Sequence, residues 1–528
     1  MTDPNQTERF DLIVIGAGIN GAGVARDAAL RGLKVCLLDK GDIGGGSSSA
    51  STRLIHGGLR YLEHWEFGLV RESLREREIL LRIAPHLVKP LPILIPIYKG
   101  AKRGPLQVRA GMLLYDMFSF NKKLPRHRIL SRDETLKLAP GLNPNGLLSA
   151  AVYYDAQVEF AERLVLENVL DATNNGAVLM TYARVTSLTT ENNKATGVEF
   201  VANGQSRRVA GDFMINAAGP WVDELLKRTG TVERLIGATK GSHIVVAPFQ
   251  SAPSTTIYAE AHTNGRPFFI IPWNGNYLIG TTDTHFNGDL DHIRSEESEI
   301  DYLIAETNHV LPQARLTKND VLYSYAGLRP LPFTDLSDEQ KITRRHFIRG
   351  HRQLSNVVSL VGGKLTTYRS LAAECVDLIF SKLGKTSPPC KTAQTALPGG
   401  EDFNSFANEF GRSSSFSRQI DERLPRIYGT RAASVVETCR RSPELSRPLG
   451  SSSVLAGEIV FGFEQEHAQT LTDCLLRRTM AGFNADLFIG PDEDAATICK
   501  TFLGWTDERA DTEVESYRDH VAKMHTQV

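Results

Sequence analysis

The run Gly16-Ala17-Gly18-Ile19-Asn20-Gly21 constrains this chain more than any other stretch, because of what stands on either side of it. An apolar segment, Asp11 to Ile15, leads into it. A helix-compatible segment, Val24 to Ala29, follows, and a second apolar run closes on Asp39. Strand, glycine turn, helix, strand and terminal acid in that order make a nucleotide-binding βαβ unit. The glycines serve separate ends, since one makes the tight turn, one lets backbone approach a pyrophosphate, and one brings the helix close to its strand. Free N–H groups and the positive end of the helix dipole favour an anion at the helix N-terminus. Asp39 then stands where a carboxylate accepts hydrogen bonds from the ribose hydroxyls of an adenosine.

At 528 residues the chain exceeds what one hydrophobic core comfortably serves, so two or three domains are expected. With 41% hydrophobic residues, 23% charged residues and a formal net charge of -1, it lacks the basic excess of a nucleic-acid binder. Attraction to phosphate must therefore be local. The six cysteines, Cys36, Cys375, Cys390, Cys439, Cys474 and Cys499, are scattered without CxxC or zinc spacing. They read as reduced structural thiols, and no metal centre is expected. The first residues are polar, the strand after them is too short for a signal-peptide core, and no apolar run reaches bilayer length. The expectation is a cytoplasmic protein, free or held at a membrane surface.

Between residues 61 and 84, Trp65, Leu69, Leu74 and Leu81 recur at helical spacing among many Glu and Arg, which predicts an amphipathic helix ending before Pro85. The segment Leu87 to Tyr98 carries Pro90, Pro92 and Pro96, which argue against a regular central strand or helix. Basic residues Lys99, Lys102, Arg103 and Arg109 then precede the apolar run Met112 to Tyr115. This stretch suits a headgroup interface, and equally an extended edge strand followed by a surface helix packed on the core. Residues 150 to 360 alternate short β-rich runs with turns, such as His243 to Val246, Phe268 to Ile271 and Tyr277 to Ile279. They predict a substrate domain on a mixed or antiparallel sheet. Composition shifts near Gly384, and a linker leads to a C-terminal helical domain from about residue 398.

Four further constellations carry chemistry. The loop Gly44 to Ser51, with Ser47, Ser48, Ser49 and Ser51, offers backbone and hydroxyl donors to a second section of an extended cofactor. It runs on to His56-Gly57-Gly58-Leu59-Arg60-Tyr61. The buried run Ile215 to Trp221 ends in small residues, Gly219 among them, that permit close backbone approach. A strand, a glycine turn and a helix start meet at Gly362-Gly363-Lys364-Leu365-Thr366, aiming positive potential at one point. That is the tuning a reduced flavin needs at its pyrimidine edge. Arg60, Arg329 and Arg344 are cations beside turn residues, although most arginines of this kind are solvated or paired. A nicotinamide cofactor needs only the first βαβ unit, whereas FAD lies across several turns. Three distant glycine-rich segments therefore point to FAD.

Together GAGING, SSSASTRLIHGGLRYLEH, INAAGPWVDE, KGSHIVV, FIIPW, LIGTTDT, AGLRPL and LVGGKLTTYR resemble the FAD-dependent glycerol-3-phosphate dehydrogenase family, aerobic bacterial type, over most of residues 10 to 400. The resemblance implies an α/β fold: a Rossmann-like FAD-binding domain with a mixed-sheet substrate domain of the D-amino-acid-oxidase type, and a C-terminal α-helical domain. FAD segments would span about 10–85, 150–225 and 325–385, and substrate segments about 86–149 and 226–324. FAD contacts would come from Gly16, Gly18, Asn20, Gly21, Asp39, Lys40, the loop serines, Gly219, Gly363, Lys364, Leu365 and Thr366. The implied activity oxidises sn-glycerol 3-phosphate, passing hydride from C2 to FAD and electrons to a membrane quinone at the inner face of the cell membrane.

Within that reading His243 is the first candidate base, because imidazole titrates nearest the working pH, although a histidine at a strand start is as often structural. Arg329 suits the C2 oxygen, and Arg60, Tyr61, Arg329 and Arg344 suit substrate binding, since a guanidinium fork holds two phosphate oxygens at once. Lys364 could hold substrate or offset charge on reduced flavin. His56 is adjacent and is given no catalytic role. An oxidase passing electrons to oxygen and a non-catalytic flavin scaffold are the alternatives. Composition leaves open whether the helical domain supports a homodimer, substrate gating or partner docking.

Overall fold

The computed structural model describes residues 8–63, 65–119, 123–228, 233–334, 344–413 and 416–524. The predicted βαβ unit forms as β1 (Arg9–Ile15), α1 (Ile19–Leu30) and β2 (Val35–Leu38). These strands sit inside an eight-stranded sheet whose main path runs Phe347–His351, Leu354–Val361, Gln205–Asn216, β1, β2, Val178–Met180. From Leu354–Val361 to Val178–Met180 all neighbours are parallel, and the antiparallel strands lie outside them. Parallel strands need apolar cover on both faces. The helices Ala161–Asn174 and Tyr368–Lys382 pack on α1 to supply it on one side.

The second sheet has ten strands and is antiparallel except where Thr256–Glu260 pairs with Val88–Tyr98. That pairing corrects the expectation drawn from the prolines. Val88–Tyr98 is a regular strand, paired along its length with Leu147–Val158 and flanked on its other side through Ile93 and Leu94. Pro90, Pro92 and Pro96 share one parity, so their missing N–H groups fall on one side of the strand. The Thr255 hydroxyl donates to the Pro92 carbonyl at 3.0 Å, which puts that side toward Thr256–Glu260, where pairing is brief. The full ladder to Leu147–Val158 uses the residues between the prolines and is left intact.

The single helix predicted over 61–84 is two elements, a 3₁₀ turn at Leu59–Leu62 and an α-helix at Phe67–Ile83. Trp65 separates them with a left-handed φ of 58°. Instead of joining the apolar stripe with Leu69 and Leu74, it stands 79% exposed. Among the described residues, every element from Phe403 onward is helical. These helices share one apolar core with the second sheet, in which Ile93 and Tyr153 lie with Leu424, Ile427 and Ile459.

Buried ion pairs fasten this helical part to the helix Ala161–Asn174 and to the loop after β2. Arg163 makes a bidentate contact with Glu466 at 2.6 and 2.9 Å. A five-residue π-turn, Cys474–Arg478, presents Arg477 and Arg478 side by side to Asp42, just beyond β2, at 2.5 to 2.8 Å. The arginines outweigh the effect of burial and hold the Asp42 carboxyl down at about 2.

Candidate active site

A cavity of ≈ 1050 Å³ runs between the two sheets, and the glycine-rich segments meet along it. The turn after β1 is built as its glycines require. A Cβ on Gly21 would stand 1.8 Å from the Gly16 carbonyl oxygen, so only glycine lets α1 start this close to β1. The Gly18 position, by contrast, is 3.5 Å from the Ser48 Oγ, with ordinary room. Ser48 Oγ accepts from the Ile19 N–H at 3.0 Å, which ties the serine loop to the helix N-terminus. Ser49 Oγ donates to the Gly46 carbonyl at 2.9 Å, and Ser51 Oγ accepts from the Arg53 N–H at 3.2 Å. Asn20 Nδ2 donates to the Gly362 carbonyl at 3.2 Å across 342 residues of chain. Asp39 accepts from the Ala17 and Gly41 N–H groups at 2.6 and 2.8 Å, and burial raises its carboxyl. Lys40 pairs with Asp291, and its ammonium lies 3.8 Å from the Trp221 ring centroid.

Whether these residues fit a flavin dinucleotide can be tested on polar atoms the protein leaves over. Asn20 Oδ1, Ser47 Oγ and Trp221 Nε1 are buried on the cavity wall without a hydrogen-bond partner among the described residues. Gly219, Gly363, Leu365 and Thr366 line the same wall, and Gly219 and Gly363 have φ of 58° and 91°. A cavity of this size, lined by the glycine turn and the start of α1 and carrying unused donors and acceptors on its wall, fits FAD.

The other half of the cavity is where chemistry is concentrated. His243 lies in the strand Thr239–Val246, between Gly280 and Tyr325 on neighbouring strands. Its ring stacks on Tyr325 at 4.9 Å, and its Nε2 is 2.9 Å from the Thr52 Oγ1. A Cβ at Gly280 would come within 2.3 Å of the His243 Cδ2, so the glycine is what gives the imidazole its place. Burial, reinforced by Arg329 and Arg53, pushes His243 down to about 3, which makes the ring neutral at any working pH. Arg329 Nη1 is 3.0 Å from Asp283 Oδ1, and its Nη2 donates to Thr281 Oγ1 and the Thr282 carbonyl at 3.0 and 3.1 Å. Arg344 Nη2 meets Asp283 Oδ2 at 3.4 Å. Lys364 Nζ donates to Ser73 Oγ at 3.2 Å and lies 3.9 Å from the Tyr61 ring centroid. Burial pushes it down to about 7, against the opposing pull of Glu72 and Glu66.

The structure thus gathers His243, Arg329, Arg344, Lys364 and Tyr61 on one cavity. The Arg60 side chain lies outside the described residues; its backbone is in the 3₁₀ turn Leu59–Leu62. Three neighbours were not legible in the sequence. Asp283 and Arg266 lie on the cavity wall beside Arg329, and the Arg266 guanidinium donates to the Asp283 carbonyl. Arg53, wholly buried, is held bidentately by Glu162 at 2.7 and 2.8 Å, with Trp273 and Phe483 against its guanidinium. Asp283 stands within the LIGTTDT run, but a carboxylate next to a strand end is common and nothing local marks it. His56, given no role above, also lines the cavity, and burial and Lys364 push it down to about 4.

A dinucleotide cradle on a mostly parallel sheet, opening onto a cationic pocket roofed by a second, antiparallel sheet, defines an FAD-dependent oxidoreductase of the D-amino-acid-oxidase type. The FAD dependent oxidoreductase family matches residues 11–369, and the C-terminal domain of alpha-glycerophosphate oxidase matches residues 390–510. The chain is 45% identical to a glycerol-3-phosphate dehydrogenase of Synechocystis sp., over 98% of this chain and 97% of that protein. It is 35% identical to glycerol-3-phosphate dehydrogenase 2 of Mycobacterium tuberculosis, over 98% and 88%. The glycerol-3-phosphate dehydrogenase of Bacillus halodurans, solved in complex with FAD, superposes with a TM-score of 0.81 at 29% identity, covering 99% of this chain and 95% of that one. This chain belongs to the FAD-dependent glycerol-3-phosphate dehydrogenase family.

Proposed function

We propose that the protein oxidises sn-glycerol 3-phosphate to dihydroxyacetone phosphate and delivers the electrons to a membrane quinone. The observation that carries this reading is the meeting of a neutral buried imidazole, His243, with Arg329, Arg344 and Lys364 on the wall of the flavin-sized cavity. Bound FAD supplies the two-electron acceptor for the hydride that leaves C2. His243 accepts the proton of the C2 hydroxyl. Arg329 steadies the oxygen as it becomes an alkoxide. Arg344, with Arg60 and Tyr61, holds the phosphate. A bound phosphate dianion offsets the positive field of Arg329 and raises the proton affinity of His243 at the moment a base is needed. Lys364, poised near neutrality, takes up a proton as negative charge grows beside it. The contacts assigned to Asn20, Asp39, Lys40 and the loop serines hold the dinucleotide.

Attachment to a membrane surface is supported by the helix Pro105–Phe118. It buries Val108, Met112 and Tyr115 but turns Leu106, Leu113 and Met117 outward, at 81%, 60% and 65% exposure. Trp65 joins this face through Phe67 and Phe118, with ring centroids 5.6 Å apart at each step. Exposed Lys99, Lys102 and Arg109 border it, and no helix among the described residues is long and apolar enough to cross a bilayer. Apolar side chains ringed by cations fit an anionic headgroup interface.

The test is the anaerobic visible spectrum of the purified protein with glycerol 3-phosphate, glycerol and a 2-hydroxy acid in turn. Bleaching by the phosphate ester alone is expected, followed by recovery on adding a soluble quinone analogue. A spectrum unmoved by glycerol 3-phosphate overturns the substrate. Recovery with oxygen but not with quinone favours the oxidase instead.

A further inference from the structure

Arg329 and Arg344, assigned above to the substrate, are already engaged with a carboxylate of their own chain. Asp283 reaches Arg329 through Oδ1 at 3.0 Å and Arg344 through Oδ2 at 3.4 Å, and Arg266 donates to its backbone carbonyl. All three side chains of the Asp283–Arg329–Arg344 cluster are part-exposed to the cavity, at 15%, 27% and 18%. A ligand entering the cavity therefore meets the ion pair directly. The two arginines are held unequally. Arg329 has Thr281 Oγ1 and the Thr282 carbonyl as further acceptors, so it stays in place if the carboxylate turns away. Arg344 makes the longer and looser contact.

We propose that Asp283 is an intramolecular competitor for the substrate's phosphate. It orients Arg329 and Arg344 while the cavity is free of substrate, yields Arg344 to the phosphate dianion, and takes it back as product leaves. The proposal rests on the reading that this cavity accepts a phosphate ester. Substrate and product carry the same phosphate, so guanidiniums without a counter-charge would hold both tightly and slow release. A tethered carboxylate is present at high effective concentration and subtracts from the affinity of both. A dianion that presents several oxygens to a guanidinium fork still displaces a single carboxylate. Asp283 is thus a positioning residue that sets phosphate affinity and turnover together.

The experiment compares the unmodified FAD-loaded enzyme with Asp283→Asn, titrating inorganic phosphate and following the flavin spectrum and the heat of binding. Asp283→Asn is expected to bind phosphate at least about tenfold more tightly, because an uncompensated charge lost at this range is worth a pKa unit or more. Inhibition by dihydroxyacetone phosphate is expected to tighten in parallel. Equal or weaker phosphate binding overturns the proposal, since a merely structural role for Asp283 loosens the site. Should the variant not fold, infrared difference spectra of the unmodified enzyme with and without phosphate decide the matter. A shifted carboxylate band supports release of Asp283, and an unshifted one overturns it. If the unmodified enzyme takes up no phosphate, the phosphate-ester reading falls and the proposal with it. Uptake without gain in Asp283→Asn overturns the proposal alone.

Discussion

Gly280→Ala adds one methyl group directly against the His243 imidazole, where there is no room for it. The new Cβ would stand 2.3 Å from His243 Cδ2, 2.9 Å from its Cγ and 3.1 Å from its Nε2. Carbon atoms settle at about 3.5 to 4.0 Å, so the imidazole must move by roughly 1 Å or the strands must part. The ring cannot slide freely the other way. Tyr325 is stacked there at 4.9 Å, and its hydroxyl is tied to the Ser51 carbonyl at 2.9 Å. The displaced ring therefore loses the 2.9 Å contact with Thr52. Overpacking of this kind costs about 1–3 kcal/mol, and the lost hydrogen bond adds about 1 kcal/mol. A base misplaced by about 1 Å lowers the chemical step by about 10²-fold, close to the ~10²–10⁴ contributed by general-base catalysis. The assay is anaerobic stopped-flow reduction of the bound flavin by glycerol 3-phosphate, with flavin content and urea unfolding measured on the same preparation. The expected result is full flavin content, a modest loss of stability and a large fall in reduction rate, matched by His243→Asn. A Gly280→Ala enzyme that keeps the parental reduction rate would show that the position of His243 does not matter to the chemistry, and the role of base would pass elsewhere.

Two further predictions concern ionised groups. Lys364 releases its proton near pH 7 in the folded protein, against 10.5 ordinarily, so between these values the unfolded chain binds more protons. Stability of the FAD-free protein should rise with pH across that window, and Lys364→Met should flatten the rise in urea unfolding curves; parallel curves would refute it. Asp42 behaves oppositely, with its carboxyl held at about 2 against 3.8, so its contribution is present above 3.8 and fades as pH falls toward 2. Asp42→Asn takes from buried Arg478 its paired carboxylate and leaves Arg477 with Asp473 alone, which should cost about 3–5 kcal/mol at neutral pH. Because Asp42 adjoins the Asp39–Gly41 turn, FAD titration of the same variant should show weaker binding, and parental stability and affinity together would count against the argument.

Much of the cofactor half was legible in the chain because its signals are local. A glycine turn, a helix start and a terminal acid depend on sterics within a few residues, and Gly16 to Asp39 takes its predicted form. The flavin choice followed from counting glycine-rich segments, and the cavity brings them together. Local rules failed where a neighbour distant in sequence decided the outcome. Proline counts could not tell that one side of Val88–Tyr98 needs almost no donors. The helical spacing of Trp65 could not tell that a left-handed residue would separate it from the stripe.

The sequence by itself therefore determined the βαβ unit, the FAD-type cofactor and the family, since these rest on short-range backbone geometry and on motifs that survive reading in one dimension. Only the tertiary structure decided the rest. It set His243 between Gly280 and Tyr325, closed Asn20 on Gly362, brought Arg477 and Arg478 to Asp42, and wrapped Asp283 in arginines. These contacts join residues tens to hundreds of positions apart. Charge pairing and steric fit between them exist only after burial of the shared cores has fixed which strands and helices are neighbours.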